Sequence, residues 1–354
     1  MQEQISSNTD QVSTRPQIFA ARRKRLASLL AAHGLDAVLI SQAPNRFYLS
    51  GFELHDGQPN ESSGYLLIRA DGDDWLATDP RFEETAAALW PRERILIYKG
   101  GSTPADLATL MRKNCALAGV ETKGLSHAFY RSLVRHCRNA PALVPADGLV
   151  ESLRVIKEPG EIDALRKSFQ LNHKMLQWLE SDLAASRWLR ISEKELAWEI
   201  EKFFRENDAQ ELAFATIAAT GKNAATPHAV PGPALLQPEN LLLIDAGCRV
   251  DNYCSDQTRV FWIGSNPDLR FQKVRQLVQD AQTAAMNIMR PGVKCADVYR
   301  AARDVFVQAS AADAFTHGLG HGVGLETHEA PSLSPRSKGI LEKNMVVTVE
   351  PGLY

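Results

Sequence analysis

The sequence predicts an α/β domain followed by an α+β domain. Three observations carry that reading. A chain of 354 residues is too long for one ordinary core and suits two, at roughly 100–200 residues per domain. The first half mixes short β-rich runs with helical periodicities. The second half interleaves longer helices with extended apolar runs, without the regular βαβ rhythm of a doubly wound sheet.

The elements follow in order. A polar stretch, residues 1–16, has no hydrophobic segment and reads as a loose tail, not a secretory signal. Ile18–Ala32 reads as a helix with Leu26, Leu29 and Leu30 on one side, and Gly34 stops it. Asp36–Ile40 is a buried strand. Tyr65–Ile68 and Trp75–Thr78 form a hairpin around Asp71-Gly72. Phe82–Leu89 is helical, Arg94–Tyr98 is a strand, and Thr103 caps a helix over Pro104–Lys113. Pro145, Gly148 and Pro159-Gly160 then break the pattern. They divide an N-terminal domain, 17–148, from a second domain, 153–354. In the second domain a helix starts near Glu161. Ser192 and Glu195 make a capping box before a helix over Lys194–Arg205. Leu269–Met289 and Cys295–Gln308 are helices; Phe214–Ala218, Asn240–Asp245, Thr258–Ile263 and Met345–Val349 are extended.

Composition narrows the function. The chain is 44% hydrophobic and 23% charged with a net charge of −2, so no global field draws it to nucleic acid or an anionic membrane. No stretch approaches the roughly 18 apolar residues of a membrane span. The five cysteines form no CxxC pair, so a disulfide framework is not expected and a reducing cytoplasm is the simpler setting.

Four segments of the second half concentrate chemistry: Leu242–Gly247, Tyr253–Arg259, His317–Pro331 and Val346–Gly352. Asp245 closes one buried run and Asp256 opens the next. With a turn centred between Val250 and Asp251, the two acids face each other across an antiparallel pair, their Cβ atoms ~5 Å apart. Two buried carboxylates that close repel, and a divalent cation relieves the repulsion. The alternative is an exposed hairpin whose acids face water. His321 lies between Gly320 and Gly322, which allow close backbone approach and leave the ring room. His317, His321 and His328 fall within twelve positions. Glu350 ends an apolar run just before Pro351-Gly352, where a ligand can project into a cavity. Taken singly, each histidine reads equally as a structural residue, and Glu350 as an ordinary strand-end acid.

The order Asp245, Asp256, His321, Glu350, in the contexts Ile244-Asp-Ala-Gly247, Ser255-Asp-Gln-Thr-Arg259, Gly320-His-Gly-Val-Gly324 and Val349-Glu-Pro-Gly352, resembles the pita-bread metallopeptidases. That group includes methionine aminopeptidase, aminopeptidase P, prolidase and, in a branch without metal, creatinase. The resemblance extends to Phe214–His228, to the linker Arg154–Ile162 and to Ala43–Phe52 in the first domain. The large N-terminal domain fits the branch with aminopeptidase P and prolidase.

The resemblance implies a pita-bread catalytic domain and a dinuclear-metal hydrolase that cleaves Xaa-Pro bonds at peptide N-termini with a metal-held hydroxide. Asp245 would chelate one metal, Asp256 bridge both, His321 bind through a ring nitrogen, and Glu350 ligate beside the nucleophile and shuttle its proton. His328 would hydrogen-bond substrate and oxyanion, His228 touch the substrate across the site, and His317 line the leaving-group side. The metals would be two Mn2+ ions, with Co2+, Zn2+ or Fe2+ fitting the same ligands. The partner is a peptide with proline second, and a cytoplasmic homodimer is implied, with His55 and Asp56 reaching toward a neighbouring subunit or simply solvated. Family members carry a further glutamate shortly after the Glu-Pro-Gly turn. The sequence ends at Tyr354, so the expectation is a catalytic domain cut short at its C-terminus. Dipeptidase-type members carry an arginine shortly after the His-Glu pair; here Ser332 follows Pro331 and the nearest arginine is Arg336, which tilts the reading toward an aminopeptidase. The competing readings are a prolidase-type dipeptidase, a peptide-binding pseudo-peptidase and a metal-free creatinase-like hydrolase.

Overall fold

The computed structural model describes residues 15–58, 61–138, 140–184 and 187–354. The chain forms two compact units that divide between Leu153 and Arg154.

In the first unit, α1 (Arg15–Ala32) buries Leu26 and Leu30. It starts three residues earlier than the sequence suggests, because Pro16 sits in its first turn, where a missing N–H costs nothing. Of the expected tail, Arg15 and Pro16 are therefore helical, and the rest lies outside the described residues. There follow β1 (Ala37–Ile40), α2 (Ala43–Ser50), β2 (Gly64–Arg69), β3 (Trp75–Thr78), α3 (Glu83–Leu89), β4 (Ile95–Ile97), α4 (Thr103–Met111), β5 (Leu117–Val120), α5 (His127–Cys137), β6 (Ala142–Pro145) and α6 (Leu149–Arg154). The six strands make one sheet in the order β4-β3-β2-β1-β5-β6. The expected hairpin is β2–β3, with Leu67 opposite Trp75 and Gly64 opposite Thr78. Alternate residues Leu39, Leu67 and Val120 meet Leu107, Met111 and Leu133 of α4 and α5 in one core. Thr103 does not cap α4; its hydroxyl turns back and donates to the Gly100 carbonyl at 3.0 Å.

Two buried polar groups organise this unit. Glu121 accepts from Ser41 N and Gln42 N, both at 2.7 Å, and from Asn45 Nδ2 at 2.6 Å, and so holds the start of α2. Arg46, fully buried, donates to Gly64 O at 2.8 Å, Glu53 O at 2.7 Å and Asp56 Oδ1 at 2.9 Å. Asp56 is thus tied into its own loop, while the neighbouring His55 is exposed.

The second unit comprises α7 (Pro159–Ala184), α8 (Glu193–Glu206), β7 (Glu211–Leu212), β8 (Ile217–Thr220), β9 (Asn240–Ala246), β10 (Cys248–Val250), β11 (Tyr253–Cys254), β12 (Gln257–Ile263), α9 (Leu269–Ile288), α10 (Cys295–Gln308), β13 (Gly320–Gly322) and β14 (Glu329–Leu333). Ser192 and Glu195 make both bonds of the capping box that opens α8. β9 lies between β8 and β12, antiparallel to both. Its alternation decides the architecture: Leu242, Ile244 and Ala246 pack on α7 and α8, while Leu241 and Leu243 pack on Ile217 and Ala219 of the opposite face. β8 begins later than the expected Phe214, because Ala213 N is engaged by Gly247 O at 2.9 Å.

The run expected as a strand over Met345–Val349 is an irregular extended segment. It still forms antiparallel rungs beside β13: Val323 N to Val346 O at 3.2 Å, Thr348 N to His321 O at 2.8 Å and Glu350 N to Leu319 O at 2.8 Å. Met345, Val347 and Val349 pack onto the core of α9 and α10. A period of two then turns Thr348 and Glu350 the other way. All five cysteines are buried and none forms a disulfide. Among the described residues no helix is long and apolar enough to cross a membrane.

Candidate metal centre

Asp245 and Asp256 are brought together, but not in the expected register. β10 and β11 pair Val250 with Tyr253 and Arg249 with Cys254, so the turn centres between Asp251 and Asn252. Both turn residues take positive φ, 51° and 73°, the conformation a two-residue hairpin loop needs to match strand twist. The shift puts Thr258, not Asp256, directly across from Asp245. Asp256 sits two residues before Thr258, between the end of β11 and the start of β12.

The break is built in. A Cβ at Gly247 would stand 2.2 Å from Ser255 O and 2.6 Å from the Phe214 ring, so only glycine admits the close crossing. Behind it, Ser255 Oγ accepts from Cys248 N at 3.1 Å, and Asn172 Nδ2 from α7 donates to Ala246 O at 2.6 Å. These bonds take up backbone groups that a regular ladder would have paired.

His321 and Glu350 arrive from the other side of the site. A Cβ at Gly320 would lie 2.1 Å from Thr348 O, and one at Gly322 would lie 2.1 Å from Ala330 O. The glycines flanking His321 therefore let β13 press between the Met345–Glu350 segment and β14. Thr348 faces the site, accepts from His321 N at 3.0 Å and donates to Glu350 Oε1 at 2.5 Å. His321 Nε2 lies 3.0 Å from Glu350 Oε1 and 3.5 Å from Asp256 Oδ2. One ligand atom from each of Asp256, His321 and Glu350 falls within 4.8 Å of the others.

The electrostatics call for a cation. Asp256 is pushed up to about 7, by burial first and then by the charges of Glu350 and Asp245. Asp245 rises to about 6, mainly through burial, and its buried Oδ1 has no hydrogen-bond partner among the described residues. Burial also works on Glu350, but the bonds from His321 and Thr348 outweigh it and hold its carboxyl below the usual range. Three acids around one imidazole, with a buried acceptor left open, form an oxygen-rich donor set that fits hard or borderline divalent ions.

The other histidines surround this group. The His328 ring meets that of His321 edge-on at 4.3 Å between centroids. Burial, then the neighbouring His321, lowers its pKa below the ordinary value. His317 sits between Phe315 and Tyr354, with ring centroids 5.2 and 5.5 Å away, and its buried Nε2 has no hydrogen-bond partner among the described residues. His228 is exposed, yet near enough for its charge to act on Asp245 and His328.

Sequence reasoning missed two features. Thr348 links two of the expected ligands, and only its alternation with Val347 and Val349 hinted that it faces the site. Glu329, part of the quoted His-Glu pair, received no role; it is held by Arg154 and Lys157 of the linker.

Metallopeptidase family M24 matches residues 163–354, and the Creatinase/Prolidase N-terminal domain matches residues 22–156. An Xaa-Pro dipeptidase of Pyrococcus furiosus is 28% identical over 336 residues, 94% of this chain and 90% of that protein. The solved structure of an Xaa-Pro dipeptidase from Bacillus anthracis has a TM-score of 0.85 at 28% identity, covering 95% of this chain and 90% of that one. An X-Pro aminopeptidase from Thermotoga maritima MSB8 has a TM-score of 0.78 at 28% identity, covering 93% and 90%. The chain belongs to metallopeptidase family M24, with a creatinase-like N-terminal domain ahead of a pita-bread catalytic domain.

Proposed function

We propose that this protein hydrolyses Xaa-Pro peptide bonds at a dinuclear divalent-metal centre held by Asp245, Asp256, His321 and Glu350. The observation that carries the reading is the convergence of Asp256 and Glu350 on His321, beside Asp245, whose buried Oδ1 has no hydrogen-bond partner among the described residues. Bound metal would supply Lewis acidity at the scissile carbonyl and acidify the attacking water. Manganese is the metal we favour, on the oxygen-rich donor set with a single imidazole.

The chain's own residues do the rest. Glu350 Oε1 is engaged by Thr348 and His321, which leaves Oε2 to take the water's proton. His328, kept neutral at pH 7 by its lowered pKa, can donate a ring N–H to the carbonyl oxygen as charge develops there. To His317, which lies near enough to act on Glu350, we assign the leaving-group side, and to His228, near Asp245, the substrate across the site. A proline after the scissile bond lacks an N–H, so recognition must come from shape and from groups such as these.

The finer reading is an aminopeptidase acting on peptides longer than two residues. Ser332 lies directly opposite His321 across β13 and β14, so that position offers no cation to a free carboxylate. The dipeptidase reading draws support from the names of relatives such as the Pyrococcus furiosus protein.

One experiment tests both levels. Bound metal is measured by elemental analysis beside release of the first residue from Xaa-Pro and from Xaa-Pro-Xaa, in the wild type and Asp245→Ala. We expect metal and turnover in the wild type, both lost in the variant, with the tripeptide preferred. Faster release from the dipeptide would replace the aminopeptidase reading by the dipeptidase one. A full-length protein without metal or cleavage would overturn the hydrolase reading.

A further inference from the structure

The loop that carries His328 is anchored from behind by groups outside the metal centre. Glu329 follows His328 directly, and its side chain points into the protein, 6% exposed. Its Oε1 accepts from Arg154 Nη2 and, at 3.1 Å, from Glu326 N. Its Oε2 accepts from Lys157 Nζ at 3.0 Å. The two cations are themselves sequestered, with side chains 4% and 1% exposed. Arg154 Nη2 also reaches Glu326 Oε2 at 2.8 Å, and Lys157 Nζ donates to Arg154 O at 2.9 Å. Lys157 is fixed in turn, its N–H bonded to Asn344 O at 3.0 Å.

The rest of the loop is held in the same manner. Arg249 Nη1 donates to Leu325 O at 2.5 Å, and Cys254 N donates to Gly324 O at 2.8 Å. A Cβ at Gly324 would lie 2.6 Å from Glu329 Oε2, so the loop closes tightly over the carboxylate. The anchoring matters because His328 is exposed, and the ring contact it makes is with His321. Its placement must come from the backbone that carries it. Two cations and two acids balance in formal charge, so the cluster adds no net charge beside the metal centre.

We infer that Arg154 and Lys157 are positioning residues: by clamping Glu329 they fix the backbone of His328 and aim its ring at the reacting carbonyl. The clamp is a property of the fold; its catalytic consequence rests on the peptidase reading above. Misplacing a catalytic group by about 1 Å can cost 100-fold in rate.

The test uses the full chain. Lys157→Met alone leaves Glu329 under-compensated and endangers folding, so the informative variant is the pair Lys157→Met with Glu329→Gln, which removes one charge of each sign. With metal content per chain and thermal midpoint unchanged, we expect kcat on an Xaa-Pro-Xaa peptide to fall about 10- to 100-fold and KM to move little. In a His328→Ala background the same pair should cost less than about 2-fold, because the clamp then has nothing to aim. A loss of equal size in both backgrounds, or one that follows metal content or unfolding, would overturn the inference. A second reading needs no turnover: in metal-free protein with labelled histidines, the His328 ring signals should shift and broaden in the pair variant while those of His33 do not. Unchanged His328 signals would overturn the clamp even if the wild type is an active peptidase. Changed signals in an inactive wild type would uphold the clamp and overturn only the peptidase reading.

Discussion

Glu329 and Asp256 are buried acids of the same unit, with side chains 6% and 8% exposed. Around Glu329 the protein supplies two buried cations, whose charges and hydrogen bonds overcome burial and keep its pKa below the ordinary value. Around Asp256 it supplies two more acids and one imidazole, and the pKa rises to about 7. The first arrangement is complete without help. The second is under-compensated when ionised, because one imidazole is shared among the acids, and is relieved by protonation or by a bound cation. Glu121 in the first unit shows a third solution: neutral donors alone, from Ser41, Gln42 and Asn45, leave it raised to about 7 under burial. Hydrogen bonds from neutral groups do not substitute for a positive charge. Of the three acids, Asp256 is the one with other acids and an imidazole converging on it.

The contrast can be broken by mutation. The largest effect belongs to Asp256→Asn, which should abolish metal binding and cut turnover by at least about 100-fold. The same variant should make the metal-free protein more stable, because it removes a buried charge whose one imidazole partner is shared with Glu350. A metal-free variant that melts below the wild type would show that Asp256 is compensated after all.

Glu329→Ala should act in the opposite sense. It strands Arg154 and Lys157 and should cost about 3–5 kcal/mol in chemical denaturation, with or without metal. A cost under about 1 kcal/mol would mean that solvent screens the cluster and that the two acids are not different in kind.

The smallest effect is a pH trend. Asp256 and Asp245 have folded pKa values raised from 3.8 to about 7 and about 6. Their folded forms hold protons that the unfolded chain has released, so between about pH 4 and 7 the metal-free protein loses stability as pH rises. Asp256→Asn removes its share, and the gap between variant and wild-type melting temperatures should widen from pH 5 to pH 7.5. Divalent metal should reverse the trend, since metal binds the ionised form. Glu329, with its pKa lowered, contributes the other sign: its stabilisation is present above its unfolded value and fades as pH falls. A gap that narrows with rising pH would contradict the raised value for Asp256.

Much of this was legible in the chain. Period-two and period-3.6 patterns and apolar runs placed α10, β9, β12 and the hairpin β2–β3 within a residue or two, because burial against a neighbouring layer leaves its mark in the local sequence. The capping box of α8 was legible for the same local reason: its partners stand three residues apart. Errors arose where a distant segment decides. β8 starts at Ile217, not Phe214, because Gly247 takes the Ala213 N–H. Thr103 looked like a cap but bonds backward. The turn after β10 slid by one position, and with it the partner of Asp245, because the conformation of Asp251 and Asn252 sets the register carried through β9 and β12.

The sequence by itself determined which residue types could hold a metal, since acids ending apolar runs and a histidine among glycines carry their chemistry wherever they fall. Tertiary structure alone decided that Asp256 shares a single imidazole with two other acids while Glu329 receives two permanent cations. Arg154 and Glu329 stand 175 positions apart. No local pattern encodes such a pair; only the packing of the folded unit can say which buried charges meet and which are left for a ligand.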